Sequence, residues 1–149
     1  MTRRPPSPRD LAVLIEAWWT LLWLDWRIRR QPYHKWRPLL DSRLDNRIES
    51  EAGRAGQRLI RLAEIAARHH LRPMNCLRRT LAEKRLLERR GIACHVHIGV
   101  NREKNSGLAA HAWLSDRHGD VLNDSSDVIE RYYELMPDNW AGAGFSDSD

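Results

Sequence analysis

Only two cysteines, Cys76 and Cys94, occur in 149 residues, too few for a disulfide framework at this size. Neither belongs to a Cys-x-x-Cys pair, so the spacing of a structural zinc site is missing as well. The apolar stretch 11–24 is too short, and too close to charged residues, to span a bilayer. A secretory signal is also lacking: the segment after Arg3 and Arg4 carries Glu16 and Asp25 and offers no small-residue cleavage site. There is no internal repeat, and no zinc-finger, RNP or basic-zipper pattern. A secreted disulfide scaffold, a membrane-spanning protein and a nucleic-acid-binding module are therefore not expected. The default setting is a thiol-reducing cytoplasm.

What remains is the composition of a globular enzyme. Hydrophobic residues make up 42% of the chain, enough for a packed core in one domain of ordinary size. The net charge of +5 comes largely from arginines scattered among acids, which makes it a weak pointer to any polyanion.

Residues 1–9 are rich in Pro and Arg and predict a flexible arm. Ser7, Pro8 and Asp10 then supply a cap, a first-position proline and a first-turn acid for a helix over about 8–30. On a helical wheel Leu11, Leu14, Ile15, Trp18, Trp19, Leu22 and Trp26 form a broad apolar face, with Glu16, Thr20 and Arg27 opposite. That face predicts burial against the domain. The alternative is that its tryptophans dock a partner or, less favourably, a membrane surface. Asp25 falls near the apolar face and needs a partner if it is buried. A connector follows Gln31-Pro32, and a second helix is expected over about 57–70, ending in His69 and His70, where a cation suits the helix dipole. After Pro73 the helical pattern resumes over 76–90, with Gly91 as its C-terminal cap and a basic face that reads as solvated. Three short strands are expected at 92–100, 108–114 and 120–123, and a helical turn around 128–135. The organisation is thus a helical region over 1–70, an α+β core over 71–140 and a disordered acidic tail over 141–149.

Cys76 opens its helix; His111 follows 35 residues later on a strand and Asp124 another 13 residues on. A thiol attacks as the thiolate, which an imidazole or the unpaired amides of a helix start can stabilise. The imidazole needs an acid or amide to fix its tautomer, and Asp124 is the candidate, with Asn123 as the alternative. Asp116 and Asp120 are rival acids placed near a turn. Cys94, Val96 and Ile98 share one strand face, and His95 and His97 the other. That alternation argues against a metal site, and no cofactor motif is present.

The segments Asn75-Cys76-Leu77-Arg78-Arg79-Thr80-Leu81, Leu86-Leu87-Glu88-Arg89-Arg90-Gly91-Ile92, His97-Ile98-Gly99-Val100, Ala110-His111-Ala112-Trp113 and Asn123-Asp124 together resemble the lasso-peptide biosynthesis B2 proteins. These are leader peptidases of the transglutaminase-like cysteine-protease superfamily. The resemblance covers about residues 70–136 and, more loosely, the N-terminal helix. It implies a transglutaminase-like or papain-like core, with the cysteine at a helix N-terminus packed on a small antiparallel sheet. It further implies Cys76 as nucleophile, His111 as general base and then acid, and Asp124 as the residue orienting the imidazole. The substrate would be a precursor peptide cut between leader and core. A separate leader-recognition B1 protein and a macrolactam cyclase would act with the chain, and the Trp-rich helix or the basic Cys76 helix would be a docking surface. The competing expectations are a transglutaminase-like acyltransferase and a non-enzymatic helical scaffold.

Overall fold

The computed structural model of the chain describes residues 6–41, 53–101 and 109–135. Most of the expected N-terminal arm and all of the acidic tail lie outside them. The first helix, α1, spans Pro8–Arg30. Ser7 caps it, accepting from the Asp10 amide while the Asp10 carboxylate accepts from the Ser7 amide, a reciprocal arrangement that satisfies two otherwise orphaned donors. After Pro32 come α2 (Tyr33–Trp36) and a 3₁₀ turn (Arg37–Leu39). Helices α3 (Arg54–Arg68) and α4 (Cys76–Glu88) follow, then strands β1 (His95–Asn101) and β2 (Ala110–Ser115), helix α5 (Ser126–Ile129) and strand β3 (Tyr132–Glu134). The fold is α+β, with helices packed on an antiparallel sheet of order β2-β1-β3. No described helix is long and apolar enough to cross a membrane.

Helix α4 is the hub. It packs against α1 and α3 on one side and against β2 and β1 on the other. Its own Leu81, Ala82 and Leu86 join Ala17, Leu21, Leu24, Ala63, Ala66 and Ala67 in one core cluster, and Leu87 joins Ile92, Cys94 and Leu114 in a second. Alanines at the helix crossings let the helix axes approach closely, since interaxial distance follows side-chain size.

That close packing rotates α1 from its expected orientation, so that of the expected face Leu14 and Trp18 pack against the core only partly buried. Ala17, Thr20, Leu21, Leu24 and Asp25 are buried, while Leu11, Ile15, Trp19 and Trp26 are more than half exposed. The narrow seam between α1, α3 and α4 admits alanine and leucine but not an indole on each turn. The polar residues on the buried side are all satisfied: Thr20 Oγ1 donates to the Glu16 carbonyl at 2.7 Å, and Asp25 pairs with Arg29, Arg78 and Arg72. Burial works against the Asp25 charge. The Arg29 hydrogen bond and the three guanidinium charges outweigh it and hold the carboxyl below its ordinary range.

Two further expectations change. The basic face of α4 is solvated only in part: Arg79, Arg89 and Arg90 are exposed, but Lys84 is buried and donates to the Asp41 carbonyl at 2.8 Å and to Glu88 at 2.6 Å. Arg85 lies over the Trp23 ring, and Arg89 and Arg90 both reach Glu16 at 2.8 Å. The third strand is not 120–123, where Val121 makes only an isolated bridge to Ser115. It is Tyr132–Glu134, inside the stretch expected to be helical. The pair Tyr132-Tyr133 favours a pleated surface, and pairing with β1 outweighs any local helical preference there. At the end of α3, burial disfavours the charged form of His70, which stacks on Trp18 at 4.9 Å, so packing rather than the helix dipole accounts for it.

Candidate active site

The site begins with the way α4 lies along the open edge of β2. Alternate residues of an edge strand turn their backbone polar groups outward, and here those of 110, 112 and 114 face away from β1. Cys76 Sγ lies 3.8 Å from the Ala110 carbonyl, Thr80 Oγ1 donates to the Ala112 carbonyl at 3.0 Å, and the Leu122 amide donates to the Leu114 carbonyl at 2.9 Å. Four helical residues rise about 6 Å and two strand residues about 6.7 Å, so positions 76 and 80 meet successive outward carbonyls. The geometry of the two elements thus sets the sulfur against the residue that precedes His111.

Cys76 is the first residue of α4. Asn75 is the cap, its side chain accepting from the Arg78 amide at 3.1 Å. The amides of Cys76 and Leu77 have no intrahelical acceptor at this position, and the helix dipole favours negative charge beside them. Arg78, two residues on, is paired with Asp25 at 2.9 Å.

His111 Nε2 lies 2.5 Å from Asp124 Oδ2, and Asp124 Oδ1 accepts from the Ser125 amide at 2.8 Å. An ionised carboxylate only accepts, so Nε2 carries the proton and Nδ1 the lone pair. The ring lies 5.0 Å from Tyr132 and 6.2 Å from Trp113. Asn123 is engaged elsewhere: Oδ1 accepts from the Leu114 amide at 2.7 Å, and Nδ2 donates to Glu83 at 2.6 Å. Asp116 organises its turn, its carboxylate accepting from the amides of His118 and Asp120. The structure therefore joins His111 to Asp124 by a hydrogen bond. It places Cys76 beside them through Ala110, with that carbonyl rather than the imidazole as the thiol's partner.

Cys94 is fully buried, and burial pushes its thiol up to about 12. Its environment keeps it protonated, in contrast to the half-exposed Cys76. No described group of three or more His, Cys, Asp or Glu side chains is arranged to hold a metal ion.

Three features around the site carry little sequence signal. Glu83 is buried beneath Asn123, and burial pushes its carboxyl up to about 8 against the Asn123 hydrogen bond, so it is a neutral acid at pH 7. His97 bonds to Glu134 through Nδ1 and lies 2.6 Å from Ser115 Oγ through Nε2, linking all three strands. Ser115 is 3% exposed, which gives this Ser–His–Glu relay a role in holding the sheet rather than in attack on a substrate. The His97 ring stacks on Trp113 at 5.6 Å, so Trp113 is flanked by His97 and His111. Gly99 is the third: a Cβ there would lie 2.8 Å from Tyr132 Cβ and 3.0 Å from the Trp113 ring. Glycine inside a strand is the usual sign of such an approach.

With this geometry in place, comparison with known proteins is decisive at one level. The profile of the transglutaminase-like superfamily matches residues 18–137. The chain belongs to the transglutaminase-like superfamily. Its members are generally enzymes, cysteine proteases or acyltransferases, and the match takes in α1 from Trp18 onward, the Cys76 helix and the whole described sheet. No curated protein and no solved structure gives a significant match.

Proposed function

We propose that this transglutaminase-like chain is a cysteine peptidase that removes the leader from a lasso-peptide precursor in the cytoplasm. Cys76 is the nucleophile, His111 the base and then the acid, and Asp124 the group that orients the imidazole. The observation that supports this most is the His111–Asp124 hydrogen bond set beside a cysteine at the first position of a helix.

In the proposed reaction, His111 Nδ1 takes the Cys76 proton and the thiolate attacks the scissile carbonyl. The amides of Cys76 and Leu77 face the developing oxyanion, a donor of this kind being worth about 3 kcal/mol. The imidazolium then protonates the leaving amine, which departs as the free core peptide. Water, deprotonated by His111, hydrolyses the thioester and releases the leader carboxylate, and the proton returns to the sulfur. Asp124 stabilises the imidazolium throughout without taking its proton.

The lasso assignment rests on the resemblance of the Cys76, His111 and Asn123-Asp124 motifs to B2 proteins. On this reading the chain acts with a separate B1 recognition protein and delivers the core amine to the macrolactam cyclase. The exposed Leu11, Ile15, Trp19 and Trp26 face of α1 is the docking surface we favour over the basic side of α4, where Lys84, Arg89 and Arg90 already have partners within the fold.

The test is incubation of the chain with a precursor peptide and its recognition protein. Mass spectrometry should show two fragments whose masses sum to that of the precursor plus one water, and Cys76→Ala should abolish them. Undiminished cleavage by Cys76→Ala removes the assignment. Superfamily membership supports a second reading, acyl transfer to an amine. A product carrying the added amine instead of water would select it.

A further inference from the structure

Cys76, Thr80 and Glu83 stand at helical positions i, i+4 and i+7 of α4, so they share one stripe of the helix. The stripe runs along the outer edge of β2, where Cys76 and Thr80 meet the carbonyls of Ala110 and Ala112. Glu83, its third member, takes a different partner. It is buried and accepts from the side chain of Asn123, Nδ2 donating to Oε2 at 2.6 Å. The oxygen of the same amide accepts from the Leu114 N–H at 2.7 Å, and Nδ2 lies 3.4 Å from Thr80 Oγ1. One side chain therefore joins the helix that carries Cys76 to the strand that carries His111. It belongs to the residue before Asp124.

Asp124 needs such a tether. It lies in the segment 116–125, which holds no helix or strand and only an isolated bridge at Val121. Its carboxylate accepts from the Ser125 amide, but Ser125 is the next residue and moves with it. Leu122 is fixed through its main chain: its amide donates to the Leu114 carbonyl at 2.9 Å, and its carbonyl accepts from Gln57 at 3.1 Å. Anchoring the main chain at 122 and the side chain at 123 fixes the direction in which residue 124 leaves. Burial, with smaller contributions from the charges of Glu64 and Asp124, pushes the Glu83 carboxyl up to about 8 against the Asn123 hydrogen bond and the Arg79 charge. At pH 7 the clamp thus adds no second buried anion near Asp124. A buried polar network with every member paired specifies one geometry, whereas one that lacks a member is costly.

From this we infer that Asn123 and Glu83 are positioning residues, which hold Asp124 against His111 by clamping the segment after β2 to both β2 and α4. This inference rests on the peptidase reading. The hydrogen bonds of the pair go to Leu114, to Thr80 and to each other rather than to Cys76 or His111, so both act through Asp124. The clamp requires an amide at 123, whose oxygen meets an N–H while its nitrogen meets a carboxyl, and an acceptor at 83. Asn123, the alternative partner of His111 in the sequence, thereby has a separate task.

The experiment follows alkylation of Cys76 by iodoacetamide, read by intact mass, at pH 6 and pH 9. At pH 6 a thiolate persists only if the imidazolium beside it is stabilised, whereas at pH 9 most of an ordinary thiol is ionised without help. The parent, Asn123→Ala, Asp124→Ala and the double variant are compared, each confirmed as folded. Asn123→Ala should slow the pH 6 reaction by about tenfold, the scale of one charge-assisted hydrogen bond, and leave the pH 9 reaction close to the parent's. In the Asp124→Ala background the same change should slow it no further, because its target is gone. A role in stability alone would not move the ratio of the two rates. Glu83→Met, which keeps the bulk and removes the acceptor, should act like Asn123→Ala, and Glu83→Gln, which keeps the acceptor, should restore the parental ratio. Should Asn123→Ala not fold, Glu83→Met takes its place in the cycle. A parental ratio in these variants, or equal losses with and without Asp124, would overturn the inference and leave the peptidase reading standing. If Cys76 of the parent reacts at pH 6 no faster than N-acetylcysteine does, both fall together.

Discussion

Glu83→Gln is predicted to stabilise the protein, and to do so only at neutral and alkaline pH. In the unfolded chain this carboxyl ionises near its ordinary value of 4.5, whereas in the folded chain burial raises it to about 8. Between those values the folded state holds a proton that the unfolded state has released, so stability falls as pH rises through the window. Above about pH 8 the loss is complete. At about 1.4 kcal/mol per pH unit the window is worth at most about 5 kcal/mol, and relaxation around the ionised group will reduce this to a few. Gln keeps the acceptor that Asn123 Nδ2 uses at 2.6 Å and never ionises. Urea denaturation of parent and variant from pH 5 to pH 9 provides the assay. The difference curve should be near zero at pH 5 and reach about 2–4 kcal/mol in the variant's favour at pH 9. Taking the difference also cancels the opposing contribution of His70, whose burial makes stability rise with pH around its own titration. A flat difference curve, or a variant less stable than the parent at pH 9, would refute the reasoning.

Gly99→Ala should cost about 1–3 kcal/mol by overpacking, because the new Cβ meets backbone-anchored Tyr132 and the Trp113 ring; thermal denaturation measures the loss, and near-UV circular dichroism should report the shifted indole. Under native conditions iodoacetamide should leave Cys94 unmodified while Cys76 is labelled, since Cys94 is fully buried and its thiol is pushed up to about 12; peptide mapping distinguishes the two, and equal labelling would contradict the assigned environments. Asp25→Asn removes the shared anion of Arg29, Arg72 and Arg78 and should lower stability by about 3 kcal/mol, within the range for breaking a buried charge pair, as measured by the urea midpoint.

Which of these features could be read from the sequence follows from how local their causes are. The limits of α1 depend on Ser7, Pro8 and Asp10 at one end and Pro32 at the other, and they fall where those residues place them. The start of α4 at Cys76 is similarly local, set by Pro73 and the Asn75 cap. The buried face of α1 is not, because apolar residues occupy both sides of the helix and the choice is made by alanines that α3 and α4 contribute. Strand β3 was hidden for the same reason: Tyr132–Glu134 becomes a strand by pairing with β1, more than thirty residues earlier. At the site, the order Cys76, His111, Asp124 was visible, but the preference of Asp124 over Asn123 for His111 depends on Glu83 and Leu114 holding the amide away. The strand-linking role of His97 required two partners, Ser115 and Glu134, that no periodicity connects to it.

The central claim is that Cys76 and His111 work as one unit, and turnover of a precursor peptide with its recognition protein tests it most directly. Rates should be compared for the parent, Cys76→Ala, His111→Ala and the double variant, each confirmed as folded. Groups that act together are strongly non-additive, so each single change should reduce the rate by at least about a thousandfold, and the double change should reduce it no further. Near-parental turnover by His111→Ala, or a double variant whose loss is the product of the two single losses, would contradict the account.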